Sequence, residues 1–210
     1  MVFSTRWYAK QLGHAELQSV LARARCLVPV LVLAVLALAL LSPAQAAKSG
    51  FRIEQAATRV VDDVVMLSAQ IDYQLNEELL EALDSGVPLF FVLTIEVSRE
   101  RKWWWDSDIA SLEQRYLLLF HALSEKYVVH NLNSGAQENF RSLNAALSAL
   151  GKIEDLPLID ANLLEQNKRY WVRLKAALDI EALPAPIRPL AYLSPKWRLE
   201  TKWHDWSLNP

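Results

Sequence analysis

KRYWVRLKAALDIEA, residues 168–182, alternates apolar and polar side chains along its length. Tyr170, Val172, Leu174, Ala176, Leu178 and Ile180 fall on one face, and Arg173, Lys175, Asp179 and Glu181 on the other. Successive side chains of a strand point to opposite faces, so this period of two predicts a strand with one face in a core and the other in water.

The same pattern recurs upstream. Over residues 64–75, Val65, Leu67, Ala69, Ile71 and Tyr73 share one face, and Ser68, Gln70 and Asp72 the other. Phe51 and Ile53 begin an earlier run, and Asp62-Asp63 between the two suits a tight hairpin turn. Residues 89–102 read as a long strand, with Ile95 and Val97 opposed to Glu96, Ser98 and Glu100. Residues 111–121 and 127–132 read as further strands, the last closed by Asn133-Ser134-Gly135, and residues 196–206 as a final one with Trp197, Leu199, Thr201 and Trp203 on one face. Two short helices interrupt them. Asn76 caps one that ends at Gly86, with Pro88 preventing its continuation, and Ser142 caps another that ends at Gly151. Pro184, Pro186 and Pro189 mark a connection.

Seven or eight strands joined by short turns, without a helix after each strand, predict an antiparallel two-sheet β-sandwich with two short helices in the connections. An open or closed barrel is the alternative.

Residues 1–46 read as a leader that forms a signal helix. Arg23 and Arg25 precede an apolar run over residues 26–41, and Ala44-Gln45-Ala46 supplies a small-x-small site, so cleavage is expected after Ala46. The alternative is an inner-membrane anchor through residues 27–41, a run shorter than the ~20 residues that span a bilayer. Cleavage leaves one domain over residues 47–210, located in the periplasm. Cys26, the only cysteine, leaves with the leader, so the domain has no disulfide, thiolate metal site or thiol nucleophile. The domain carries 18 Lys and Arg against 23 Asp and Glu, a formal charge of −5, which argues against nucleic acid as a partner.

Catalytic and metal signatures are missing from the sequence. His121, His130 and His204 stand at no metal-ligand spacing, and there is no HExxH, GxSxG or CxxC. His121 alternates with Leu117 and Leu119, which predicts a half-buried structural histidine. Asp62-Asp63 suits a turn and Glu77-Glu78 a helix start. Asp106-Ser107-Asp108 offers too few oxygens for calcium. No catalytic residue, metal or cofactor is expected.

One motif stands out, RKWWWDSDIA at residues 101–110. It falls at the expected tip, residues 103–108, of a hairpin between the strands 89–102 and 111–121. Trp103 and Trp105 would point one way and Trp104 the other, so at least one indole is expected to be exposed. Beside Arg99, Arg101, Lys102 and Asp106, an exposed tryptophan suits anchoring of a protein partner, a membrane interface or stacking on a sugar. Trp103, Trp104, Trp105, Arg101 and Asp106 are therefore the candidate recognition residues.

Five segments carry a resemblance, in this order: DYQLNEELLEALDSGVPL, RKWWWDSDIASLEQRY, KYVVHNLNSG, SLNAALSALGKIEDLPLID and DIEALPAPIRPLAYLSPKWRLETKW. Across nearly all of residues 51–207 the chain resembles the DUF4390 family, secreted proteobacterial proteins of unknown function. The resemblance implies a domain exported to the Gram-negative envelope and, from the setting of such proteins beside a membrane sensor kinase, a signalling partner there. It implies no catalytic residues. The functional expectation is a non-catalytic binding or accessory module acting through protein contact. The alternatives are an enzyme or binding module for envelope glycan, or a domain resting on the membrane surface.

Overall fold

The computed structural model describes residues 50–100, 107–165 and 167–208. The described residues form nine strands: β1 (Gly50–Val61), β2 (Val64–Gln74), β3 (Leu89–Arg99), β4 (Ser107–His121), β5 (Lys126–Asn131), β6 (Gln137–Phe140), β7 (Lys152–Asp160), β8 (Tyr170–Leu178) and β9 (His204–Leu208). Three helices join them: α1 (Glu77–Asp84), α2 (Leu143–Leu150) and α3 (Arg188–Leu193). The strands make two antiparallel sheets, a three-stranded one in the order β1-β2-β7 and a six-stranded one in the order β6-β5-β4-β3-β8-β9. The expected mainly β, two-sheet architecture is therefore present, with a third helix added. The signal helix expected within residues 1–46 lies outside the described residues.

Strand β8 behaves as its alternation demands. Tyr170, Val172, Leu174, Ala176 and Leu178 are buried, while Trp171, Arg173, Lys175 and Ala177 keep exposure. It lies between β3 and β9, so both of its edges are paired. Across the core, Val65, Leu67, Ala69, Ile71 and Tyr73 of β2 are also buried. Full burial of each large apolar side chain contributes about 1.5 to 3 kcal/mol. Where the sheets face each other, Tyr73 packs edge-on against Phe51 at 4.8 Å and against Phe91 at 5.1 Å between ring centroids. Phe91 belongs to the six-stranded sheet and the other two to the three-stranded sheet, so this cluster ties the layers together.

Local chemistry fixes the turns. Asp62 and Asp63 both adopt positive φ, 48° and 62°, the backbone of a two-residue hairpin loop that matches strand twist. The Asn76 side chain accepts a hydrogen bond from the Leu79 N–H at 3.0 Å and starts α1, and Ser142 does the same for α2 through the Ala145 N–H. Gly151 ends α2 and touches β2: its carbonyl accepts from the Ile71 N–H at 2.9 Å. A Cβ there would lie 2.0 Å from the Ile71 carbonyl oxygen, so only glycine allows this approach.

Several expectations need correction. Residues 196–206 are not a continuous strand. Pro195–Trp197 form a 3-10 turn, Glu200 makes an isolated bridge to Ala177, and β9 begins only at His204. Ser194-Pro195 cannot extend a ladder, because proline lacks the N–H. Trp203 does not share the inward face of Trp197. Its ring lies under the Arg173 guanidinium at 4.6 Å, on the outer face of β8. His121 is exposed, because Leu117, Leu119 and His121 line the outer face of β4; its Nδ1 lies 3.1 Å from the Ser124 hydroxyl. The strand expected over residues 111–121 starts earlier, at Ser107, pairing back to Arg99. Strands β6 and β7 and helix α3 were not expected.

Candidate functional site

The tip residues Arg101, Lys102, Trp103, Trp104, Trp105 and Asp106 lie outside the described residues. The base from which they spring is described. Arg99 pairs with Ser107 in the ladder, and its guanidinium donates to the Glu165 carboxylate. The Glu100 N–H donates to the Arg169 carbonyl at 3.0 Å, and the Tyr170 hydroxyl accepts from the Glu165 N–H at 2.8 Å. Segment 161–170 is thus fastened to the hairpin base. At its other end the Ala161 N–H donates to the Asp63 carbonyl at 2.7 Å, in the turn between β1 and β2. Hydrogen bonds therefore tie Ala161 to that turn and Glu165, Arg169 and Tyr170 to the hairpin base.

Large apolar side chains are exposed near these contacts. Val60 and Val61 precede the turn, Leu163 lies in the fastened segment at 69% exposure, Ile109 is the extra residue of a bulge in β4, and Trp171 is 38% exposed. Trp171 sits between Ser98 and Ser207 on the outer face of the six-stranded sheet. Scattered exposed apolar residues are ordinary on a protein surface, and Leu123, Leu132, Leu190, Tyr192 and Leu193 are exposed elsewhere among the described residues. Of the residues singled out in the sequence, Arg99 is placed at the hairpin base. The others found here, Leu163, Ile109 and Trp171, were missed; for Trp171 the signal was an indole on the polar face of the alternating stretch.

A second feature is a cleft at the flank, between the inner faces of β4, β5 and β6, the edge of β7 and the last turn of α2. Its volume is about 310 Å³. Gln114 and Tyr116 reach it from β4, Val129 and Asn131 from β5, and Lys152, Ile153, Glu154 and Leu156 from β7. The Tyr116 hydroxyl pKa is raised by burial, which keeps it a neutral donor. Tyr73, fully buried nearby, is raised further, by burial first and then by Tyr116. A third, open concavity of about 590 Å³ lies on the three-stranded sheet, where Arg59 and Asp155 form an ion pair at 2.6 Å. Among the described residues no group of three or more His, Cys, Asp or Glu side chains is placed to hold a metal ion. Among the same residues no helix is long and apolar enough to cross a membrane.

These features define a class: a mainly β domain of two antiparallel sheets with a polar cleft at its flank. The chain belongs to the family described as Domain of unknown function (DUF4390), whose model matches residues 48–207. No curated protein and no solved structure gives a significant match to it.

Proposed function

We propose that the chain is an exported, non-catalytic binding module of the cell envelope that works through protein contact at its hairpin end. In this reading the leader is removed after Ala46, the two sheets act as a sandwich scaffold in the periplasm, and the 101–106 segment is the tip of the contact surface. The supporting observation is the exposure of Ile109 and Trp171 beside the strand ends from which that segment springs, with Leu163, Val60 and Val61 exposed toward the Asp62-Asp63 turn. Indoles and large aliphatic groups dominate binding energy where a partner excludes water from them. An envelope-signalling protein, the partner that the family resemblance implies, is the one to examine first.

The test uses a photo-crosslinking residue at position 171 in intact cells, followed by identification of the product and binding measurements with the purified partner. Trp171→Ala, which removes a partly buried indole, is expected to cost about 1 to 2 kcal/mol of stability while leaving the domain folded, and to weaken binding by ~2 kcal/mol. Co-sedimentation with vesicles lost in the same variant would move the assignment to the membrane surface. A Trp171→Ala chain that binds the partner as tightly as the wild type would remove this end from the interface.

A further inference from the structure

Helix α3 turns apolar side chains outward. Leu190 is 66% exposed, Leu193 82% and Tyr192 44%. Leu190 and Leu193 stand three residues apart and share a face. The segment is held firmly. Ala191 is fully buried beneath it, and Pro189 and Pro195 stiffen its two ends. Just beyond, the buried Trp197 donates its indole N–H to the Glu78 carboxylate at 2.6 Å. A contact that covers these leucines therefore costs little in ordering.

The charge around them is basic, in a domain that is acidic as a whole. Residues 184–198 contain no Asp or Glu and carry Arg188, Lys196 and Arg198. Arg188 donates to the Leu183 carbonyl at 2.9 Å and Arg198 to the Tyr192 carbonyl at 2.8 Å, and neither has a carboxylate partner among the described residues. Two carboxylates from outside the segment touch it: Glu78, 3.6 Å from Lys196, and Glu181, which accepts from the Tyr192 hydroxyl at 3.5 Å. Outward leucines flanked by guanidiniums whose charge is not neutralised fit the headgroup layer of an anionic bilayer, where apolar groups sink and cations stay at the phosphates.

The place of α3 in the fold points to the same occupant. Gly50 pairs with Gln74, and Asn76, two residues on, donates from its side-chain amide to the Lys196 carbonyl at 2.6 Å. The chain thus enters β1 at the end of the domain that carries α3. Residues 42–49 join the apolar run 26–41 to that point and reach at most about 30 Å. While that run is in a membrane, as the export reading requires, the α3 end stays within that reach of the bilayer. Strand β3 leaves this end at Leu89 and arrives at the hairpin base at Arg99, about 33 Å away.

We propose that α3 docks the domain on an anionic membrane surface, with Leu190, Tyr192 and Leu193 in the headgroup layer and Arg188 and Arg198 on lipid phosphates. The docking rests on the export reading of residues 26–41 and not on protein contact at the hairpin end.

The full chain is placed on vesicles of phosphatidylcholine, or of equal parts phosphatidylcholine and phosphatidylglycerol, and backbone hydrogen exchange is compared between the two. Exchange over residues 188–197 should be about tenfold slower on the anionic vesicles, with residues 107–113 unchanged. Leu190→Ser with Leu193→Ser should abolish the slowing, although residues 26–41 still hold the chain on the vesicle. Should that variant fail to fold, Arg198→Gln, at an exposed position, should reduce the slowing about fivefold. Equal exchange on both vesicles, or slowing that survives these substitutions, would overturn the docking and leave the export reading intact. Slowing confined to residues 107–113 would put the hairpin end on the lipid instead and overturn it too. A chain that binds neither vesicle would overturn the docking and the export reading together.

Discussion

Two stretches with the same alternation, residues 170–178 and 197–203, fold differently. The first is a central strand. The second runs beside it yet is held by three contacts: the Leu178 N–H donates to the Leu199 carbonyl at 2.9 Å, the Thr201 N–H to the Ala176 carbonyl at 2.8 Å, and the Ala176 N–H to the Thr201 hydroxyl at 3.0 Å. A side chain thus takes a place in the ladder that a carbonyl would hold. At the start of the stretch, Trp197 is pinned across the chain by its indole N–H, which donates to the Glu78 carboxylate of α1 at 2.6 Å. Alternation therefore reports which side chains are buried, and it does so for Trp197, Leu199 and Thr201 alike. It does not report whether backbone or side-chain groups complete the hydrogen bonding, nor that the register flips before Trp203.

The largest test of this contrast is at the centre of β8. Leu174→Ala, at a fully buried position, is expected to cost about 2 to 5 kcal/mol in denaturant unfolding. A loss equal to that of the outward Lys175→Ala would mean the sidedness of β8 is wrong. Thr201→Val comes next. It keeps the shape but orphans the Ala176 N–H, with an expected cost of about 1 to 3 kcal/mol. A neutral Thr201→Val would mean that the second stretch is held by its apolar contacts alone.

The third test addresses the core that both stretches share. Burial raises the Tyr73 pKa above the ordinary value of 10.0, and that of Tyr116 rises from the same cause. A raised folded-state pKa gives stability that is fully present below pH 10 and lost as pH climbs toward the folded value, because the unfolded chain releases the proton first. Unfolding free energy should therefore fall above pH 10, by up to about 1.4 kcal/mol per pH unit for each such tyrosine. In Tyr73→Phe this alkaline slope should be shallower; an unchanged slope would place the titrating group elsewhere. The smallest effect is expected at Lys175, whose ammonium pairs with Glu200 at 2.8 Å on the surface. Lys175→Ala should cost under ~1 kcal/mol, and less at high salt.

The two-sheet plan was legible because β2, β3 and β8 are long and keep strict alternation. Helix α1 was legible from Asn76 and Gly86. Strand β7 was not, because Pro157 and a bulge at Glu154-Asp155, with Asp155 at a positive φ of 50°, break its period. Strand β6 is short and polar, as an edge strand tends to be. Helix α3 hid among prolines, although Pro189 sits in its first turn, where a missing N–H costs nothing. For the sites, the tryptophan run drew the eye to the hairpin and the hydrogen-bonded frame beneath it depends on partners more than 60 residues away. The flank cleft was not legible, because it is built only once α2 and β7 are in place.

The order of the three-stranded sheet also sets a timetable. Strands β1 and β2 are neighbours in sequence and close through the Asp62-Asp63 turn, while β7, the third member, starts at Lys152, well after β2 ends at Gln74. A lone two-stranded ribbon is marginal in water. In a chain that emerges N-terminus first, residues 75–151 must follow β2 before β7 can pair with it. Until then the backbone groups that β7 will pair, and the apolar face of Val65, Leu67, Ala69 and Ile71, are open to any strand that reaches them, so it is the emerging chain, rather than the finished domain, that is exposed to mispairing.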